Sequence, residues 1–154
     1  MDRETAHIRN GVFISYSRKD KRFLDELHAH LSHHVRTGIV TYWDDTKIIP
    51  GSRWRDELNK ALRSAKVGVF LVSADFLASD FIAKRELPPL LQASLQENVV
   101  ILSVVLSACM FGDTELAGFQ AVNAPSDPLN LMSRGRRNQV WTQVVYAINQ
   151  AIQE

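Results

Sequence analysis

Two apolar periods alternate along the chain. Short, nearly continuous apolar runs occur at Gly11-Val12-Phe13-Ile14-Ser15-Tyr16, at Ile39-Val40-Thr41-Tyr42-Trp43, over residues 67–72 and over residues 99–106. Between them, apolar residues recur three and four apart. Phe23, Leu24, Leu27 and Leu31 do so within residues 19–34, and Trp54, Leu58, Ala61, Leu62 and Ala65 after Ser52 or Arg53. Val140, Val144, Ile148 and Ile152 do so within residues 139–153. The first pattern predicts strands and the second predicts helices. The runs at 67–72 and 99–106 are apolar on both faces, as the central strands of a parallel sheet are. Residues 107–138 carry no sustained period, although Phe119-Gln120-Ala121-Val122 within them predicts a short edge strand. The alternation of strand and helix predicts an α/β fold, a parallel sheet with helices on both faces. Five strands fit a flavodoxin-like winding in the order 2-1-3-4-5. Residues 1–10 read as an N-terminal extension and residues 11–154 as one domain.

One helical segment breaks the pattern. In Ser-Asp-Phe-Ile-Ala-Lys-Arg-Glu-Leu-Pro-Pro-Leu-Leu, residues 79–91, Glu86 stands between the apolar Ile82 and Leu90, and Pro88 and Pro89 follow at once. Proline removes a backbone donor and disturbs the preceding turn, so the segment bends either to fill a shape or to present a group. Open parallel sheets bind ligands beyond the carboxyl ends of the strands where their order reverses. Here that crevice lies between the first and third strands, whose carboxyl ends run into Ser15-Tyr16-Ser17-Arg18 and Val72-Ser73-Ala74-Asp75. The polar stretch at residues 73–80 reads as a loop leading directly into the segment, so the topology places Glu86 near the crevice. Taken alone, a glutamate beside a proline pair reads as a surface charge.

Composition narrows the function classes. The chain has 154 residues and a net charge of +1, enough length for a sizeable core and too little charge to favour nucleic acid or a membrane surface. Cys109 is the single cysteine, which excludes an internal disulfide and fits a cytoplasmic setting. The opening residues lack the apolar core of a signal peptide, and no apolar run approaches the roughly 20 residues of a membrane helix. The seven glycines form neither a dinucleotide fingerprint nor a phosphate loop, and no nucleophile elbow or zinc-protease motif occurs. His30 and His34 are spaced to share a metal on one helix face. A polar helix surface explains the cluster His28, His30, His33 and His34 more simply, so no metal is expected. Ser133-Arg134-Gly135-Arg136-Arg137 could meet a phosphate, but a solvated basic loop is the simpler reading. Phe23, Leu27, Leu31 and Trp141 read as core.

Together these residues resemble the Toll/interleukin-1 receptor (TIR) domain in its prokaryotic form. Val12-Phe13-Ile14-Ser15-Tyr16-Ser17 is similar to the family's first box. The stretch from Asp44 to Gly51, with Pro50-Gly51 ahead of a helix, is similar to its second box, the BB loop. Trp54-Arg55-Asp56-Glu57-Leu58 matches the following helix, and Ser73 to Ser79 with Glu86-Leu87 matches the segment that holds the glutamate of TIR enzymes. The resemblance spans residues 11–152. It implies cleavage of NAD+ at the nicotinamide–ribose bond, giving nicotinamide and ADP-ribose or a cyclised form, with Glu86 as the catalytic residue and no further cofactor. Enzymatic members often carry an aromatic residue four before that glutamate; here Ile82 occupies that position and Phe81 precedes it. The animal family's Phe-Trp box is not seen near the last helix.

Breaking the nicotinamide–ribose bond builds positive charge on the sugar, as in glycoside hydrolysis. A fixed carboxylate stabilises it, and because nicotinamide leaves neutral, no general acid is required. Tyr16, Trp54 and Phe81 are candidate aromatic walls for the two bases, though each also reads as a packing residue. Arg18 is a candidate pyrophosphate or ribose contact, with a solvated turn as its equal alternative. Ser17 and Ser79 complete the expected substrate-binding set. Asp45, Lys47, Ile48, Ile49, Pro50 and Gly51 are the expected self-association surface, since two apolar residues at a loop tip are costly unless covered. The leading expectation is an NAD+-cleaving effector activated by TIR self-assembly in prokaryotic antiphage defence, with a fused sensor as a further partner. The alternative is a non-catalytic TIR–TIR signalling module. A flavodoxin-like nucleotide or flavin binder is a third, weaker reading.

Overall fold

A computed structural model describes residues 8–119 and 121–154. Residues 1–7 of the expected extension and Gln120 of the expected edge strand lie outside the described residues. Strands β1 (Gly11–Ser15), β2 (Tyr42–Trp43), β3 (Ala65–Val72) and β4 (Val100–Val105) form a parallel sheet in the order β2-β1-β3-β4. They alternate with helices α1 (Lys21–Arg36), α2 (Trp54–Ser64), α3 (Ala74–Ala78), α4 (Leu87–Glu97) and α5 (Arg134–Gln153).

Side chains alternate between faces along a strand, and this divides the core in two. Val12, Ile14, Val67, Val69 and Leu71 pack on one face with Leu24 and Leu27 of α1 and Trp141 and Val144 of α5. Phe13, Phe70, Val72 and Val105 pack on the other with Leu58 of α2, Phe76 of α3 and Leu90 of α4. By the same alternation, Ser15 belongs with Phe13 on the α2–α4 face.

Among the described residues the sheet has four strands where five were expected. Ala121 makes an isolated bridge to Ser103, and the Val122 N–H donates to the Ser103 carbonyl at 2.8 Å. The ladder then passes to a side chain. Asn123 Oδ1 accepts from the Val105 N–H and Asn123 Nδ2 donates to the Val105 carbonyl, both at 2.9 Å. One buried amide thus occupies both outward-facing backbone groups of the edge residue. Pro125 and Pro128 follow, and without N–H groups they cannot extend a ladder.

Other elements differ from expectation for local reasons. The second strand was expected over residues 39–43, but the N–H groups of Ile39 and Val40 both donate to His34 O at the end of α1, at 2.9 and 3.1 Å. Gly38, at φ 80°, makes that reversal possible. The expected loop at residues 73–80 contains α3, whose N-terminal cap is the Ser73 hydroxyl accepting from Phe76 N–H. The basic stretch at residues 133–137 opens α5 rather than forming a solvated loop: Ser133 Oγ accepts from the Arg136 N–H, and Arg137 pairs with Glu26 of α1 at 3.1 Å. Trp141 is fully buried, its indole N–H donating to Glu26 Oε1 at 2.8 Å. Arg9 of the expected extension is bound to the domain. Its Nη1 donates to the Leu62 and Ala65 carbonyls, both at 3.0 Å, and its Nε to Glu97 at 3.0 Å. Among the described residues, no helix is long and apolar enough to cross a membrane.

The edge amide sets the first expected outcome. Asn123→Ala leaves a buried N–H and C=O of Val105 unpaired, so the domain should lose about 2 kcal/mol, read as a lower midpoint in urea denaturation. An unchanged midpoint would show that the side chain does not carry this edge.

Candidate functional site

The segment that carries Glu86 contains a π turn. Pro88 and Pro89 have no N–H to offer the carbonyls four residues back, and their rings would collide with them. The turn at Ile82–Glu86 widens, and the Leu87 N–H reaches back five residues to Ile82 O. Both prolines then fall in the first turn of α4, where no intrahelical donor is needed. Ser79 Oγ accepts from the Ile82 N–H at 3.2 Å and fixes the entry. The widened turn directs Glu86 inward with Ile82 and Leu90, and all three are buried.

Glu86 meets the end of β1. Ser15 Oγ donates to Glu86 Oε1 at 2.6 Å, and the two residues are 1% and 6% exposed. Burial pushes the Glu86 carboxyl up to about 7; the Ser15 hydrogen bond opposes that rise and the negative charge of Asp45 adds to it. Glu86 lies in the wall of a cavity of about 510 Å³ lined from the carboxyl ends of β1 and β2, the start of α2 and the segment 79–86, within the size range of small-molecule sites. No residue of β3 lines it, so it sits on the β2 side of β1 and not in the expected crevice between the first and third strands.

All six expected substrate-binding residues reach this cavity: Tyr16, Ser17, Arg18, Trp54, Ser79 and Phe81. Trp54 and Phe81 face each other at 6.0 Å between ring centroids, and each keeps more than a third of its surface exposed. Phe81, five residues before Glu86, therefore reaches the cavity despite its offset from the expected position. Ser17 and Ser79 use their oxygens to accept from backbone N–H groups.

The loop after β2 divides between cavity and surface. Asp45 is a shared acceptor: Tyr16 Oη donates to Oδ1 at 2.6 Å and Arg18 Nε to Oδ2 at 2.8 Å. Burial and then the Asp45 bond hold the Tyr16 phenol above its ordinary range. Asp44 faces the other way and is fully buried, with its Oδ2 2.7 Å from His28 Nε2 and its Oδ1 accepting from Thr46 N–H at 2.9 Å. Asp45 and Ile48, both assigned to the self-association surface, are half-buried and line the cavity. Ile49 is 66% exposed. Pro50 and Gly51 make the corner of a turn closed by Ser52 N–H to Ile49 O at 2.9 Å, with Gly51 at φ 86°. Lys47 lies over the Tyr42 ring at 4.0 Å.

Sequence reasoning did not single out Ser15, Trp43 or Leu58 as site residues. Ser15 alone had a legible signal, a polar residue closing an otherwise apolar strand at the crevice. Trp43 and Leu58 read as ordinary core. The histidines do not converge. His28 meets Asp44, and His30 Nε2 lies 3.1 Å from Asn138 Oδ1. Among the described residues, no group of three or more His, Cys, Asp and Glu is arranged to hold a metal ion.

The raised Glu86 carboxyl has a signed consequence for stability. Between its ordinary range near 4.5 and about 7, the folded state binds the proton and the unfolded state does not, so stability falls as pH rises through that window. At pH 8.5 the buried charge opposes folding by roughly 3 kcal/mol. Glu86→Gln should therefore be more stable than wild type at pH 8.5 by an amount of that order, the gap closing by pH 4.5. Denaturation at the two pH values checks this, and parallel curves with no pH-dependent gap would contradict it.

A model described as "TIR domain" matches residues 12–134. The uncharacterized protein y4lF of Sinorhizobium fredii is 28% identical over 142 residues; the match covers 92% of this chain and 43% of that protein. The chain thus spans less than half the length of this curated relative. The TIR domain of the Toll-related receptor TRR-2 from Hydra magnipapillata superposes with a TM-score of 0.55 at 15% identity, covering 89% of this chain and 96% of that one. The TIR domains of the activated Roq1 resistosome, described as directly recognizing the pathogen effector XopQ, give a TM-score of 0.55 at 19% identity, covering 92% and 84%. The two structural likenesses establish the fold. With the family match spanning most of the chain, the protein belongs to the TIR domain family.

Proposed function

We propose that this TIR domain cleaves NAD+ at the nicotinamide–ribose bond. The observation that carries the proposal is Glu86, a carboxylate buried to 6% exposure in the wall of a cavity at the carboxyl ends of β1 and β2. The C1′–N bond breaks with its electron pair passing to the pyridinium nitrogen, which leaves as neutral nicotinamide. The ribose becomes an oxocarbenium ion, whose charge the ionised, 6%-exposed Glu86 stabilises. Water captures the cation to give ADP-ribose, releasing a proton, or a nitrogen of the adenine captures it to give a cyclic product. Trp54 and Phe81 offer flat apolar surface to a base, and Arg18 offers its outer N–H groups to the pyrophosphate.

Self-assembly activates the domain in this proposal, in the setting of prokaryotic antiphage defence. Ile49 favours contact with another TIR domain: it is 66% exposed at the tip of the loop whose Asp45 and Ile48 line the cavity. A structural neighbour occurs as the TIR domains of an activated resistosome. A bacterial relative more than twice as long as the matched segment favours a fused sensor region. The same exposed tip supports the alternative, a TIR–TIR signalling module without catalysis.

Nicotinamide release from NAD+ at high protein concentration tests the enzymatic reading. Wild type should release nicotinamide, and Glu86→Gln, which keeps the size and removes the charge, should be slower by about 100-fold or more. Equal rates would refute the role of Glu86. For assembly, Ile49→Asp should lower the sedimentation coefficient of the associating protein while leaving the thermal midpoint within about 2 °C. Unchanged sedimentation would remove Ile49 from the contact surface.

A further inference from the structure

Among the described residues, Ser15 is the one side chain that hydrogen-bonds the buried carboxylate. It closes β1, is 1% exposed, and places its Oγ 2.6 Å from Glu86 Oε1 across 71 residues of sequence. A hydroxyl has a single hydrogen to give, and here it goes to Oε1. Among the described residues no other group donates to Glu86, so Oε2 has no protein partner while Glu86 lines the cavity. The two oxygens are therefore unequal: one is anchored to the sheet, and the other is left to whatever enters.

We infer that Ser15 is a positioning residue for the reaction, its hydroxyl anchoring Oε1 as an acceptor so that Glu86 meets the substrate as a carboxylate through Oε2. The inference rests on the proposed cleavage of NAD+ for its function, but not for its physical content. A hydroxyl donor at this distance stabilises the charged form more than the neutral acid. The neighbouring charges leave that task to Ser15. Asp45, on the loop after β2, opposes ionisation of Glu86. Arg18 and Tyr16, on the turn after β1, direct their donors to Asp45. From α2, the uncharged Trp54 and Leu58 face the cavity. Lys84 and Arg85, on the π turn itself, are exposed. No cation touches Glu86 among the described residues, and the Ser15 hydroxyl is the group that favours its charge.

The test measures the carboxylate first and the reaction second. In protein carrying 13C-labelled glutamate, the Glu86 carboxyl signal is assigned by its loss in Glu86→Gln and followed across pH. Ser15→Ala should raise its midpoint by about one pH unit. Ser15→Cys, which keeps the volume and weakens the donor, should move it in the same direction. Nicotinamide release by Ser15→Ala should then be about fivefold below wild type at pH 7 and nearly restored at pH 9. A midpoint that does not rise in either variant overturns the inference, as does an activity loss equal at pH 7 and pH 9, which a purely structural role would give. A raised midpoint in a protein that releases no nicotinamide at any pH supports the Ser15–Glu86 coupling and refutes the enzymatic reading instead.

Discussion

The site depends on keeping one carboxylate inside an apolar layer. Placing Glu86 among Ile82, Leu90 and Leu58 works against stability at neutral pH, because burial disfavours its charge. Two features hold it there. The proline pair opens the helix into a π turn and fixes which way residue 86 faces, and Ser15 supplies the hydrogen bond that the apolar surroundings withhold. Single π turns inserted into α-helices often mark functional sites, and here the local cause is plain in the missing N–H groups of Pro88 and Pro89. A helix without that pair would continue in α geometry and carry its side chains along a different stripe.

The loop after β2 connects this interior to the surface. Asp44 and Asp45 are neighbours with opposite duties, because Asp44 is extended and successive side chains of extended backbone diverge. Asp44 fastens the loop to α1 through His28, while Asp45 gathers Tyr16 and Arg18 at the cavity. Three residues later the chain turns Ile48 inward, and Ile49 next to it stays exposed. A contact made at Ile49 is thus separated by a few backbone bonds from groups in the cavity wall. In the proposed function, a partner bound at Ile49 would press on the same short segment that carries Asp45 and Ile48.

Much of this was legible in the residue order. The two apolar periods separated strands from helices, and the β1–β3 crevice followed from the winding. Glu86 and all six expected binding residues do line one cavity, but it opens at the ends of β1 and β2 and not between β1 and β3. What escaped was local hydrogen bonding, which apolar periodicity does not encode. Ile39 and Val40 look like strand residues, yet their N–H groups serve the end of α1. Residues 133–137 look like a loop because they are charged, yet Ser133 caps a helix and Arg137 finds Glu26. Asp45 and Ile48 were read by their place in a loop, which says nothing about the direction of a side chain. Ser15 was read as the end of a strand, because its partner lies far away in sequence.

The amide of Asn123 has a consequence for how such domains can be stacked. With the N–H and C=O of Val105 already taken and the opposite border reduced to the two residues of β2, neither flank of the sheet offers a long unpaired template. A growing assembly of these chains would be joined by loop tips and helix faces, with each sheet ending inside its own molecule. Its links would be side-chain contacts, reversible in a way that a continuous intermolecular ladder is not.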